Sequence, residues 1–297
     1  MNRALALSLT IALILICPAS LRAESNAGPV TTPKKEPALG LNWTTILGLG
    51  PLIGTSQLEG RYRHVYRRDA NPLWDKLYVQ GGLSAGTSTF TTTTAAHVEF
   101  QPIAVFGLRL QAERWHWLGR PSVIGTGLPF ASVDSPADPA TMRSRQNETI
   151  ATDGYRGLAV TTLRAKAGAF ALLNMTRLSA WYLPDGDGFF YDSEADNLIA
   201  RGQVDLTLRN RLALLWMAKP RARAHRLMVG PNHELHRSRA AALRRQRLGA
   251  MVVYTPLKQW GILREPTMMV DVGFNLEDRY RAGAMYLLGL INLSFVP

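Results

Sequence analysis

Six histidines, at positions 64, 97, 116, 225, 233 and 236, are the first residues to weigh for chemistry. The segment His233-Glu234-Leu235-His236 sets two of them around a carboxylate. A zinc helix of the His-Glu-x-x-His kind needs its histidines four apart, so that both meet the metal from one face. These are three apart, and on a strand such side chains point to opposite faces. No metal site and no cofactor are expected. His97 and Glu99 stand two apart, which puts both on one face of a strand, as an interior hydrogen-bonded couple. Nucleophilic hydrolysis would need a serine within reach of a histidine that a third polar group orients. His236-Arg237-Ser238 is the nearest pairing, with no orienting partner evident.

Two charge clusters stand out. Asp185-Gly186-Asp187-Gly188 is followed by Asp192, Glu194 and Asp196. Clustered carboxylates can hold calcium, but an EF-hand loop wants a ligand at its fifth position and glycine at its sixth. Phe189 and Phe190 occupy those places, so a solvated acidic loop tip is expected. The opposite sign gathers in Lys219, Arg221, Arg223, Arg226, Arg237, Arg239, Arg244, Arg245 and Arg247, which face only Glu234. The whole chain carries a formal charge of +12, which favours anionic partners.

The elements that must position these residues read as strands. Hydrophobic residues are 46% and charged residues 19% of 297, with no internal apolar run of the length that a membrane-spanning helix requires. What recurs is alternation with period two. Val204, Leu206, Leu208, Leu212, Leu214 and Trp216 fall on one face; Asp205, Thr207, Arg209 and Arg211 fall on the other. Phe106, Leu108, Leu110 and Ala112 oppose Arg109, Gln111 and Glu113. Met268, Val270, Val272, Phe274 and Leu276 oppose Asp271, Gly273 and Asn275. Ahead of this, Arg3, an apolar run over residues 4–16, Pro18 and Leu21-Arg22-Ala23 form the pattern of a cleavable secretory signal over 1–23. The sole cysteine, Cys17, lies within it, so no disulfide is expected in the mature chain. Residues 24–40, rich in Pro, Thr and Lys, read as a flexible periplasmic lead-in, and 41–297 as one domain. A secretory signal argues against nucleic acid as a partner.

Alternation alone does not say which face meets water. Three features favour apolar side chains pointing outward. Charges oppose apolar runs in strand after strand: Arg61, Arg63, Arg109, Arg164, Lys166, Arg177, Arg209 and Arg211, with Glu59, Glu99, Glu113, Asp205 and Asp271. Aromatic residues collect near strand ends, at Trp74, Trp115, Trp117, Trp181, Tyr182, Trp216 and Tyr254, as a headgroup-level belt would. Connections are uneven, with short turns near 101–102, 166–169 and 258–263 and long loops over 118–155 and 184–196.

Across its whole mature length the chain resembles a bacterial outer-membrane β-barrel protein, ending in the alternating strand Leu287 to Phe295. The resemblance implies an all-β fold: a single up-and-down antiparallel transmembrane barrel of about twelve strands, within ten to fourteen. Strands are expected at 41–50, 57–67, 75–85, 94–101, 104–116, 156–167, 171–182, 198–217, 224–236, 244–255, 265–276 and 281–295, the span 198–217 being long enough for two. It also implies an outer-membrane location and partners in outer-membrane lipid, lipopolysaccharide and the barrel assembly machinery. The resemblance is to an architectural class and carries no catalytic residues. The His-x-Ser-Asn-Gly stretch of outer-membrane phospholipases has no counterpart in the chain.

The leading expectation is a non-enzymatic barrel, a narrow porin-like pore or a plugged structural protein. Its lumen or ion path would be lined by Arg61, Arg63, Glu99, Arg109, Glu113, Arg164, Arg177, Asp205, Arg209, Arg211 and Asp271, and would favour small anionic solutes. Arg237, Arg239, Arg244 and Arg245 are candidates for lipid phosphates. For that basic segment the alternatives are a solvated face or ion pairing with the acidic loop. For the whole chain they are a lipid-modifying outer-membrane enzyme using His97, His116 or His236, and a soluble lipocalin-like or sandwich binding protein.

Overall fold

The computed structural model describes residues 39–49, 53–67, 77–122, 125–133, 139–193, 196–218, 226–256, 259–260, 263–279 and 281–295. The expected signal segment and most of the lead-in lie outside them, as does Trp74. In chain order the elements are β1 (Leu39–Leu49), β2 (Ile53–Arg67), β3 (Leu77–Ser88), β4 (Thr91–Ile103), β5 (Phe106–Leu118), β6 (Pro129–Phe130), a short helix α1 (Pro139–Ser144), β7 (Ala151–Ala167), β8 (Phe170–Tyr182), β9 (Phe189–Asp192), β10 (Asn197–Ala200), β11 (Val204–Met217), β12 (Arg226–Ser238), β13 (Leu243–Thr255), β14 (Gln259–Trp260), β15 (Leu263–Glu277) and β16 (Met285–Phe295).

Twelve of these strands close into one antiparallel up-and-down barrel. Each pairs with its neighbour in sequence, β5 passing to β7, β8 to β11 and β13 to β15. The sheet closes where β1 meets β16, from Leu41 opposite Phe295 to Leu49 opposite Leu287. Closure leaves the barrel no unpaired edge.

Alternation decides the two faces. Leu83, Leu110, Leu178, Leu212, Leu248, Val270 and Phe274 stand exposed on the outside. Between them, Gln80, Glu113, Asp205, Asn232, Glu234, Asp271 and Asn275 are buried on the inside. A greasy exterior around a polar interior is stable only in lipid, where a closed sheet also satisfies its backbone hydrogen bonds internally. The chain is a transmembrane β-barrel of the outer-membrane type.

The strand list anticipated all twelve. Residues 198–217 do split: β11 runs in the barrel wall, while β10 leaves it for a small separate sheet. The turn expected at Gln101-Pro102 falls three residues later, at Ala104-Val105, because β4 continues to Ile103. Gly168-Ala169 links β7 to β8 with Gly168 at φ +57°, a conformation that costs glycine nothing. Short periplasmic turns and longer outer loops are the rule for such barrels, so the end bearing residues 119–150 and 183–203 faces outward.

The described residues of those two long connections form a lid. β9 pairs with β6 and with β10, making a three-stranded sheet. Leu128, Phe130, Met142, Tyr191 and Leu198 pack there against Ala241 and Leu243, at the β12–β13 turn. Phe190 and Ile199 pack against Trp115, Trp117, Trp181 and Leu183. The last point corrects the aromatic belt. Trp115, Trp117 and Trp181 point inward and are almost wholly buried beneath the lid, because the first two share the parity of Arg109, Gln111 and Glu113 on β5 and Trp181 that of Arg177 on β8. Tyr182, Trp216 and Tyr254 do stand on the outer surface.

Candidate functional site

Beneath the lid the lumen is a chamber of about 630 Å³. Seven arginines (Arg61, Arg109, Arg156, Arg164, Arg177, Arg209 and Arg211) and four glutamates (Glu59, Glu99, Glu113 and Glu234) line it, with His236 beside them. Apolar side chains interrupt this polar wall: Leu158 and Val160 from β7, Met175 from β8. Asn197 of the lid, Trp115 and Trp181 also line it. Toward the periplasmic end Ala213, Leu215 and Met251 form an apolar cluster with Leu173, Met228, Val253 and Met269.

Most of the arginines are answered. Arg109 meets Glu59 at 2.7 Å. Arg156 donates to Glu113 at 2.6 Å, with its guanidinium over the rings of Trp115 and Trp181. Glu113 also accepts from Trp115 Nε1 at 2.6 Å and from Gln111 at 2.5 Å. Arg211 binds Asp271 and lies 3.5 Å from Glu234. Asp271 accepts further from Asn232 at 2.9 Å and Tyr286 at 3.1 Å, so it is enclosed and outside the chamber lining. Arg63 donates to Gln80 at 2.9 Å, and Glu99 accepts from Tyr78 at 2.5 Å and Gln80 at 3.2 Å. Asp205 is a structural tie rather than part of the lumen path. It accepts from the backbone of Ala200 at 3.4 Å and Ala240 at 3.1 Å, and from Ser238 at 3.4 Å.

Arg177 is different. Its side chain has no hydrogen-bond or ion-pair partner among the described residues, and it opens into the chamber. In the register it stands directly across from Arg209 on β11 and from Val160 on β7. Like charges directly opposite on neighbouring strands repel. Arg209 itself stays 3.8 Å from Glu234, a Coulombic contact longer than a hydrogen bond. Arg164, nearer the periplasmic end of β7, likewise has no side-chain partner among the described residues.

The lid is fastened by charge. Asp196, between β9 and β10, is buried, with φ +51°. Its carboxylate binds Arg245 at 2.9 Å, Arg247 at 2.5 Å and Arg281, and its carbonyl accepts a further bond from Arg245. Asp278 completes the cluster, 3.0 Å from Arg245 and 3.5 Å from Arg281. Burial alone would push the Asp196 pKa up, but Arg245, Arg281 and Arg247 hold it well below the usual carboxylate range. The acidic segment is therefore divided. Asp185 and Asp187 are exposed, as a solvated tip requires, whereas Asp192 and Asp196 are buried and Asp196 pairs with Arg245 and Arg247 of the basic segment. Glu194, Lys219, Arg221 and Arg223 lie outside the described residues.

This overturns one lipid-phosphate candidate. Arg245 points into the barrel and is consumed by Asp196 and Asp278. Arg237, Arg239 and Arg244 do stand exposed at the β12–β13 turn, Arg244 meeting Glu277 at 3.1 Å. His97 and Glu99 share the inner face but do not couple. His97 lies 3.8 Å from Glu59, while Glu99 turns to Tyr78 and Gln80. His236 is inside and His233 reaches Gln246 at 3.3 Å, so the two histidines do take opposite faces. Ser238 serves Asp205, not a histidine. Sequence reading missed Asp196, Arg281 and Asp278 as a cluster, because nothing local joins residues so far apart. Arg156 had a signal: it shares the parity of Arg164.

Neither a protein-family model nor a curated protein matches the chain. Solved barrels resemble it in outline. The β-domain of the Bordetella autotransporter BrkA is 10% identical with a TM-score of 0.45, covering 88% of this chain and 99% of that one. The KdgM porin in complex with disordered oligogalacturonate is 8% identical with a TM-score of 0.36, covering 87% and 99%. LpxR from Salmonella typhimurium is 10% identical with a TM-score of 0.35, covering 86% and 99%. Translocators, porins and an LpxR stand together in this set, so nothing about activity follows from the likeness.

Proposed function

We propose that the protein is a non-enzymatic outer-membrane barrel whose lumen admits small anions slowly, under a lid that limits their passage. One observation carries the reading: the chamber wall holds seven arginines against four glutamates, and Arg177 has no hydrogen-bond or ion-pair partner among the described residues. Fixed positive charge on a narrow, low-dielectric wall attracts anions and repels cations. The lid above and the apolar cluster below argue for low conductance. The test is the reversal potential of the purified barrel in planar bilayers under a KCl gradient. An anion-selective potential supports the reading; cation selectivity, or no conductance with the lid removed, sinks it.

A second reading, hydrolysis of lipid at the outer rim, rests on His116. Its Nδ1 lies 3.1 Å from Asp153, both facing outward near the outer end of β5 and β7, with Arg114 3.5 Å from the same carboxylate. Thr92 stands opposite His116 on β4 without a hydrogen bond to it among the described residues. If lipid turnover by the purified barrel is lost in His116→Ala, with the folded gel mobility retained, this reading replaces the first.

A further inference from the structure

We propose that Arg177 is the anchor of a binding site for a small organic carboxylate, held in the chamber with its apolar body against the β7–β8 wall. The inference rests on the anion-admitting reading for the sign of the lumen charge, and goes further in requiring saturable binding and an apolar moiety.

Three observations converge on it. First, Arg177 presents a guanidinium to the chamber with no protein acceptor among the described residues, across the sheet from Arg209. A planar fork of N–H donors matches a carboxylate, and a second guanidinium beside it strengthens the field on the same anion. Second, the wall on the β7 side of Arg177 is apolar. Val160 is its direct cross-strand neighbour, Met175 is two residues along β8 on the same face, and Leu158 follows on β7. A bare inorganic anion gains nothing from these side chains. A short aliphatic or aromatic body would cover them and gain about 25 cal/mol for each Å² removed from water. Third, the chamber holds about 630 Å³, within the range of pockets that enclose a small organic ligand. Of the other arginines on that side, Arg156 is engaged by Glu113 and Arg211 by Asp271 and Glu234, while Arg164 stands beyond Val160, nearer the periplasmic end of β7.

The experiment is calorimetric titration of the refolded full chain in detergent with benzoate, the neutral benzamide, inorganic phosphate and chloride. Benzoate is expected to bind saturably and about tenfold or more tighter than benzamide, phosphate or chloride. Arg177→Gln is expected to lose about tenfold in benzoate affinity. Val160→Ser tests the apolar half separately, and is expected to weaken benzoate while leaving phosphate unchanged. Equal binding of benzoate and benzamide, unchanged benzoate affinity in R177Q, or phosphate binding as tight as benzoate would each overturn the proposal. Anion selectivity in bilayers with no saturable benzoate binding would sink this inference alone; a cation-selective barrel that still binds benzoate would sink the conduction reading alone.

Discussion

Arginine is used at two levels of the same lumen, and the two levels are wired differently. Under the lid, Arg245, Arg247 and Arg281 converge on Asp196, with Asp278 beside them. Lower in the chamber, Arg177 faces Arg209 across the sheet and no carboxylate forms an ion pair or hydrogen bond with it among the described residues. Burying a charge in a dry place is tolerable only with a partner. The lid arginines sit in such a place and each has one. Arg177 opens onto a cavity, where water or an anion can serve. The difference separates arginines that hold the architecture from one available to a ligand.

The largest way to break this comparison is Asp196→Asn. It removes the carboxylate that three guanidiniums share, leaving Arg245 and Arg281 with Asp278 alone and Arg247 with Asn275 and Glu234. Losing one partner of a buried pair costs about 3–5 kcal/mol. The lid is expected to become sensitive to protease within 119–150 and 183–203, while the barrel keeps its heat-modifiable gel mobility. A lid as resistant as before would mean that its apolar packing, not the carboxylate, holds it. Next comes a reference for arginine on the wrong side of the wall. Leu212 is exposed on the outer face beside inward-pointing Arg211, and Leu212→Arg is expected to cost about 2–4 kcal/mol in equilibrium unfolding from lipid vesicles.

Arg177→Gln should sharpen the contrast from the other direction. It removes a charge that supports no contact, so unfolding free energy should stay within about 0.5 kcal/mol of the parent. Anion selectivity should nevertheless fall severalfold, read from the reversal potential. A destabilisation as large as that of Asp196→Asn would erase the distinction between the two levels. The smallest effect expected is that of pH. Asp196 has a depressed folded pKa, so its contribution is complete above the ordinary unfolded value of 3.8 and is lost only as pH falls through the much lower folded value. Lid protection in hydrogen exchange, corrected for intrinsic rate, should therefore match between pH 7 and about pH 5.

Period two made the barrel wall legible. Residues such as Leu208, Arg209, Leu212 and Arg211 carry their facing in the local pattern, and strand number and closure followed from counting. The chamber was legible for the same reason, since Arg109, Arg177, Arg209 and Arg211 share an inward parity with their polar neighbours. Facing does not reveal pairing, however. His97 meets Glu59 on β2 rather than its strand neighbour Glu99, because partners come from adjacent strands as readily as from the same one. The lid was the least legible part. Phe189–Asp192 and Asn197–Ala200 are too short to show a period, and their role depends on Trp115 and Trp117, from a strand far away in sequence. The tryptophans themselves were misassigned by residue type, when parity with Glu113 already placed Trp115 and Trp117 inside.

The seam between β1 and β16 has a consequence for how this molecule comes into being. Its first and last strands must find each other across more than two hundred residues of intervening chain, the longest-range pairing in the wall. Contacts of such separation form late, after shorter loops have closed. Until then the growing sheet exposes two ribbons of unmet amides and carbonyls, which the hydrocarbon interior of a bilayer will not accept. Insertion and zippering must therefore finish together, and a chain stopped short of β16 has no membrane-stable intermediate to rest in.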